Sequence, residues 1–282
     1  MTANSLLCAI TGPTSGIGEA TALELARRGF GLLLLCRDLG KGELLAQRCR
    51  DLGARSAEVC ECDLASLDSV RGCAAEIRLT VKCIDVLINN AGVICNRRQL
   101  SVDAYELMFA VNHLGHFLLT DQLLPLLRAA PQGRIINVAS GAHAFVKAIN
   151  FDDLNYESGF ATFKVYGHSK LCNMLYTLAL QDKLKDTAVT VNALHPGAVS
   201  TNLGTQNGWY VRPLYALLSL FLRSPEKGAR SSVFLACEPQ GGTSRGKYFY
   251  DCKAIAPKPW ALDEKAAAQL WQVSAALVGI EG

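Results

Sequence analysis

The chain has 282 residues, half of them hydrophobic and 19% charged, with a formal net charge of +3. That balance excludes global disorder and supplies the core of one large α/β domain. The positive charges are scattered, without a basic run or an interleaved aromatic stripe, so a nucleic-acid partner is not expected.

Leu6 to Ile10 reads as a short buried strand, and Thr11-Gly12-Pro13-Thr14-Ser15-Gly16-Ile17-Gly18 follows at once. Alanine- and leucine-rich sequence then continues with helical periodicity to Arg28, closed by Gly29. A glycine turn between a strand and a helix lets the backbone approach a pyrophosphate, and the helix N-terminus offers unpaired N–H groups. The context predicts dinucleotide binding; a plain tight turn is the alternative.

Gly31 to Cys36 predicts a second strand, with Arg37 at its carboxyl end. An acidic residue there would bond the 2′-hydroxyl of NAD, whereas a guanidinium matches the 2′-phosphate of NADP. Arg37 therefore predicts NADP(H); a solvated surface arginine beside Asp38 is the other reading. The alternation goes on with a helix from about Lys41 to Leu52 and a strand from Ala57 to Cys62, ending in Asp63-Leu64. Asp63 either meets the adenine or ends a strand. Ser66 and Asp68 are expected to cap a helix through about Leu79, and the strand Ile84 to Ile88 leads into Asn89-Asn90-Ala91-Gly92. Small residues there let a ligand sit against the strand edge.

A helical region is expected from Ser101 to about Arg128, containing Asn112, His113 and His116. Without a third ligand in the right context, the histidines read as structural rather than as a metal site. Asn112, a mediocre helix former in mid-helix, calls for a reason. The strand Arg134 to Val138 ends at Ser140, and a long helix carries Tyr166 and Lys170, one helical turn apart on one face. A free tyrosine titrates near pH ~10. Bringing it toward ~7 takes roughly 4 kcal/mol, of which a neighbouring ammonium can supply part and the positive nicotinamide of an oxidised cofactor more.

The strand Val189 to Leu194 ends in His195-Pro196-Gly197. Further on, Trp209 to Leu222 is apolar and aromatic, with Leu214, Leu217, Leu218 and Phe221 at helical spacing between basic and proline flanks. That pattern suits either a core helix or a helix at a lipid interface, so a substrate lid is expected over about 203–238. A helix from Pro225 to Cys237, a final strand from Lys247 to Tyr250 and a closing helix from Glu264 to Val278 complete the chain.

The eleven cysteines include no CxxC pair, and most stand in apolar runs, as free thiols do in a reducing compartment. No apolar run reaches the ~18–20 residues that span a bilayer, and the first is too short for a signal peptide. A cytoplasmic chain is expected, at most peripheral on a membrane. Repeated strand–helix alternation predicts a single-domain Rossmann-type fold: a doubly wound parallel sheet with helices on both faces.

Taken in order, Thr11 to Gly18, Asp63-Leu64, Asn89 to Gly92, Asn112, Ser140, Tyr166 with Lys170, and Pro196-Gly197 through Thr201 resemble the short-chain dehydrogenase/reductase family across essentially the whole chain. Within it, Cys36-Arg37-Asp38, Val111 to Thr120 and the closing Leu270 to Ser274 look like the retinol dehydrogenase branch. The resemblance implies that Tyr166 is the general acid/base and that Lys170 lowers its pKa while binding the nicotinamide ribose. It implies that Ser140 holds the substrate oxygen and that Asn112 anchors a proton-relaying water. Gly12, Ser15, Gly16, Ile17 and Gly18 would surround the pyrophosphate. Asp63, Leu64, Asn90, Ala91 and Gly92 would lie on the adenosine side, and Pro196, Gly197 and Thr201 at the nicotinamide end. The implied partner is a lipophilic aldehyde or ketone and its alcohol, with membrane contact and self-association both compatible. A non-catalytic NADP-binding sensor, or a double-bond reductase like the protochlorophyllide reductases, is the alternative.

Overall fold

A computed structural model describes residues 6–199 and 223–281. Thr201 and the expected lid helix at Trp209 to Leu222 lie outside the described residues. The first half alternates β1 (Leu7–Thr11), α1 (Gly16–Arg27), β2 (Gly31–Cys36), α2 (Leu39–Asp51), β3 (Ser56–Glu61), α3 (Leu67–Thr80) and β4 (Val86–Asn89). Helix α4 then runs through Leu107–Phe109, a π turn at Ala110–Leu114 and Gly115–Ala129. After β5 (Arg134–Val138) come α5 (Thr162–Lys183) and β6 (Thr190–Leu194). The chain closes with α6 (Pro225–Cys237), the short α7 (Pro239–Thr243), β7 (Tyr248–Tyr250), β8 (Lys253–Ile255) and α8 (Glu264–Val278).

The strands form one sheet in the order β3-β2-β1-β4-β5-β6-β7-β8, parallel throughout except for β8 against β7. Both faces are covered, which is why β2 is an unbroken apolar run, Gly-Leu-Leu-Leu-Leu-Cys, buried along its whole length. Each of its leucines contributes roughly 2 kcal/mol through burial. Strand alternation divides the core: Cys8, Ile10, Leu32 and Leu34 face α1, α2 and α6, while Ala9, Leu33 and Leu35 face the layer of α3, α4, α5 and α8. Helix α6 packs on α1 as an ordinary flanking helix, with Ser231, Ser232, Val233, Leu235 and Ala236 buried. The part of the expected lid segment that it occupies therefore belongs to the sheet's cover.

Two elements differ from the sequence expectation. The helix expected from Ser101 starts at Leu107, because Ala104 takes a left-handed φ of 64° and Asp103 is spent elsewhere, accepting from Leu67 N at 2.9 Å. Glu106 supplies the actual cap, accepting from Phe109 N at 2.8 Å. The strand through Tyr250 is not the last: Asp251 and Cys252, at φ 46° and 61°, turn the chain back into β8. Both central residues are left-handed, the hairpin geometry that Asn-Gly normally signals, and this pair carries no such signal.

Candidate active site

The turns that follow β1, β4, β5 and β6 lie at the carboxyl edge of the sheet, where the strand order reverses between β1 and β4. The glycine turn is built by Gly12 and Gly16 at φ 60° and 57°. Gly18 has no room for a side chain, since a Cβ would lie 2.2 Å from Gly12 O. Ser15 caps α1 without spending its side chain, so its hydroxyl stays exposed beside the helix N-terminus and Ile17.

The second loop locks onto this turn. Asn90 Nδ2 donates to Thr11 O at 2.9 Å and to Gly12 O at 3.2 Å, and Ala91 packs against Gly12. Thr11 Oγ1 accepts from Asn90 N at 2.9 Å and from Ala91 N at 3.0 Å. With both lone pairs used, its proton goes to His116 Nε2 at 2.8 Å. His116 then donates from Nδ1 to Asn112 O at 3.2 Å. Burial pushes His116 down to about 3, so the ring is neutral. His113 bonds Ser274 Oγ at 2.7 Å through Nε2. Both rings are spent on contacts within the fold, and no group of three metal-binding side chains occurs among the described residues.

Asn112 lies in the π turn and is wholly buried. Its Oδ1 accepts from Val93 N at 2.8 Å, and its Nδ2 donates to Val93 O at 3.1 Å and Ser169 Oγ at 2.9 Å. Ser169 Oγ passes its proton to Tyr166 O at 2.8 Å. Asn112 thus ties the segment after Gly92 to the helical turn that presents Tyr166. Neither Val93 nor Ser169 stands out in the sequence, because their contribution depends on a contact made 19 and 57 residues away.

Lys170 is buried, donates to Val138 O at 3.0 Å, and has its Nζ 5.8 Å from the centre of the Tyr166 ring. Burial pushes it down to about 8, which leaves it cationic at neutral pH. A Cβ on Gly92 would meet Asn112 Oδ1 at 3.4 Å and Lys170 Nζ at 3.5 Å, so all three groups converge. Ser140 stands two residues beyond β5 and caps the single turn Gly141–Phe145. Its Oγ accepts from Ala142 N at 3.1 Å, which leaves the hydroxyl proton to be donated. That turn approaches α5 at Gly167, where a Cβ would come 2.7 Å from Ala142 O, and Ala142 and Tyr166 share one apolar cluster. Tyr166, Lys170, Asn112 and the Ser140 turn are therefore brought together.

The remaining expected residues frame this centre. Arg37 is exposed at the end of β2. Asp38 is committed as the cap of α2, accepting from Lys41 N at 3.0 Å and pairing with Lys41 Nζ at 2.9 Å. Asp63 closes a turn through Ala65 N at 3.0 Å, and Leu64 is buried against Gly115. Pro196 and Gly197 follow β6, with Gly197 at φ 84° and packed on Arg223.

Comparison with known proteins identifies the family. A family model described as short chain dehydrogenase matches residues 7–208. The chain belongs to the short chain dehydrogenase family. Retinol dehydrogenase 14 of Mus musculus is 43% identical over 96% of this chain and 85% of its own length. Among solved structures, an uncharacterised protein from Mycobacterium Paratuberculosis is 34% identical, with a TM-score of 0.79 over 98% of this chain and 94% of that one. An actinorhodin polyketide ketoreductase with NADPH shares the fold at 24% identity and a TM-score of 0.70, covering 87% of this chain and 95% of its own.

Proposed function

We propose that this member of the family is an NADP(H)-dependent oxidoreductase interconverting a lipophilic aldehyde or ketone and its alcohol. The observation that carries the reading is the convergence of the Tyr166 turn, the buried Lys170 ammonium and the donor hydroxyl of Ser140 at the carboxyl edge of the sheet.

The residues present fit a dinucleotide. The turn sets Gly12 and Gly16 at positive φ ahead of the α1 N-terminus, with the Ser15 hydroxyl making no cap bond. Asp63, Leu64, Asn90, Ala91 and Gly92 would hold its adenosine side, Arg37 its 2′-phosphate, and Pro196, Gly197 and Lys170 its nicotinamide end. When bound, it supplies or accepts the hydride.

The chain's own residues handle the oxygen. Tyr166 delivers the proton in reduction and withdraws it in oxidation. The Lys170 ammonium stabilises the phenolate left behind. Ser140 donates to the developing alkoxide, a preorganised dipole that needs no reorientation as charge builds. Asn112 acts through what it holds, the Tyr166 turn and the strand exit at Val93.

The surroundings favour a lipophilic substrate. Tyr166 is packed among Cys95, Met108, Ala142, Tyr156 and Val165, with Val93, Ile94, Leu107 and Phe160 partly exposed at the edge of that cluster. The relationship to retinol dehydrogenases points the same way. No helix among the described residues is long and apolar enough to cross a membrane.

The test is NADPH oxidation against all-trans-retinal, long-chain aliphatic aldehydes and sterol ketones, with small hydrophilic ketones as the contrast. Turnover confined to the hydrophilic set would remove the lipophilic assignment, and no turnover of any carbonyl would remove the reading itself.

Cofactor choice has its own expected result. Asp38 is occupied by Lys41 and its helix cap, which supports the exposed Arg37 as the group that would meet the 2′-phosphate. Arg37→Ala should weaken NADPH by about 1.5–3 kcal/mol, the scale of a hydrogen bond to a charged group. NADH affinity, measured by the same fluorescence titration, should hardly move. Equal losses for both cofactors would make Arg37 structural.

A further inference from the structure

His143 belongs to no sequence motif, yet it is held on every side. It stands three residues beyond Ser140 in the turn Gly141–Phe145 and is buried. Its backbone N–H donates to Ser140 O at 3.2 Å, and its ring Nδ1 lies 2.8 Å from the same carbonyl. A carbonyl only accepts, so Nδ1 carries the proton. The other nitrogen, Nε2, faces Lys258 N at 3.4 Å, and a backbone N–H only donates. One neutral tautomer satisfies both contacts, and protonation of the ring would set two donors against each other. The titratable groups that face the ring are Tyr248, whose hydroxyl lies 3.5 Å from Nδ1, together with Lys258 and His195. None of them is a carboxylate that would favour a charged imidazole.

The ring is also wedged in place. Tyr248 meets it edge-on at 5.2 Å, and Trp260 Nε1 donates to the His143 carbonyl at 3.3 Å. Tyr248 lies in β7, and Lys258 and Trp260 come just after the terminal hairpin. The turn that carries Ser140 is therefore braced by chain more than a hundred residues further on.

We propose that His143 is a positioning residue: its Nδ1–H fixes the Ser140 peptide group, and its Nε2 anchors that turn to the segment after the terminal hairpin, so that the Ser140 hydroxyl is held for the substrate oxygen. The proposal rests on the reading of Ser140 given above. As a positioning residue His143 acts through Ser140, so its effect falls on the step that develops charge on the oxygen.

The test uses three variants of the full chain, assayed with NADPH and the fastest aldehyde of the panel. His143→Asn places an amide N–H at the δ position and keeps the bond to Ser140. His143→Gln places its amide at the ε position and keeps only the contact to Lys258, and His143→Phe keeps neither. Gln and Phe should lower kcat about tenfold, the cost of one lost hydrogen bond at the transition state, with KM for NADPH and aldehyde unchanged. Asn should recover most of that loss. Equal behaviour of Asn and Gln, wild-type kcat in Phe, or a loss confined to KM would each overturn the proposal.

A readout independent of activity covers variants that do not fold. The imidazole ¹⁵N shifts of the wild-type chain should report a neutral ring protonated on Nδ1, and an Nε2-protonated ring would overturn the assignment. Ser140→Ala separates the two readings. If it retains full turnover, the role of Ser140 fails, whereas a dead Ser140→Ala beside a fully active His143→Phe sinks only the role of His143.

Discussion

Tyr166→Phe is expected to reduce turnover by ~100-fold or more, toward the lower end of general acid–base effects, while NADPH binding and thermal stability stay close to wild type. The ring is retained, so its packing against Ala142 and Val165 persists and only the hydroxyl is lost. The Lys170 ammonium keeps its bond to Val138 O, so the change does not propagate into the cofactor side through that residue. Steady-state kinetics paired with a NADPH titration is the measurement. A variant that keeps near-normal kcat would show that the proton comes from elsewhere.

The second large effect is in stability against pH. All five histidines of the chain have their pKa values lowered, chiefly by burial; His113 and His116 are pushed to about 3 and His168 to about 4. A folded-state pKa below the unfolded value means that the unfolded chain binds more protons. The stabilisation is therefore complete above the unfolded histidine value of ~6.5 and is lost as pH falls toward the folded values. At pH 5, about 1.5 units below that reference, each of the three deeply buried rings accounts for a loss of roughly 2 kcal/mol. Glu106 and Asp121, both raised by burial, oppose this by taking up protons in the folded state. The net expectation is a loss of several kcal/mol between pH 7.5 and 5, a large part of the ~5–15 kcal/mol that holds a typical domain together. Urea denaturation at pH 7.5, 6 and 5 measures it. Unchanged midpoints would mean that the rings are hydrated or paired in a way the fold does not show.

Much of the fold was legible because strand and helix alternate with strong local signals. The apolar run Gly31 to Cys36, the strand Arg134 to Val138, and the helices Pro225 to Cys237 and Glu264 to Val278 stand where periodicity and capping residues place them. The site's framework was legible for a related reason, since each of its turns follows a strand that the sequence marks clearly. What escaped was long-range. Asp103 resembles a cap for its own helix and serves a different one, and Asp251-Cys252 adopts a turn its composition does not announce. The braces of the site, Ser169 beneath Tyr166 and His143 beneath Ser140, are invisible because a hydroxyl or an imidazole acquires a direction only from its neighbours.

The π turn at Ala110–Leu114 also bears on which changes of length this gene product can absorb. A π turn holds one more residue than the α-helix it interrupts, and functional sites often lie on such bulges. Deleting any single residue there would restore an uninterrupted helix, with every backbone hydrogen bond retained and local propensity satisfied. An extra residue of this kind is absorbed locally, so its removal leaves the helix on either side facing as it does now and takes the change at the bulge itself. Asn112, which from within the bulge holds Val93 N, Val93 O and Ser169 Oγ, would be re-aimed and lose those partners. A one-codon deletion thus removes the bulge that aims Asn112 between Val93 and Ser169. In-frame length variation among functional descendants of this chain should therefore collect in the exposed loops and spare these five positions.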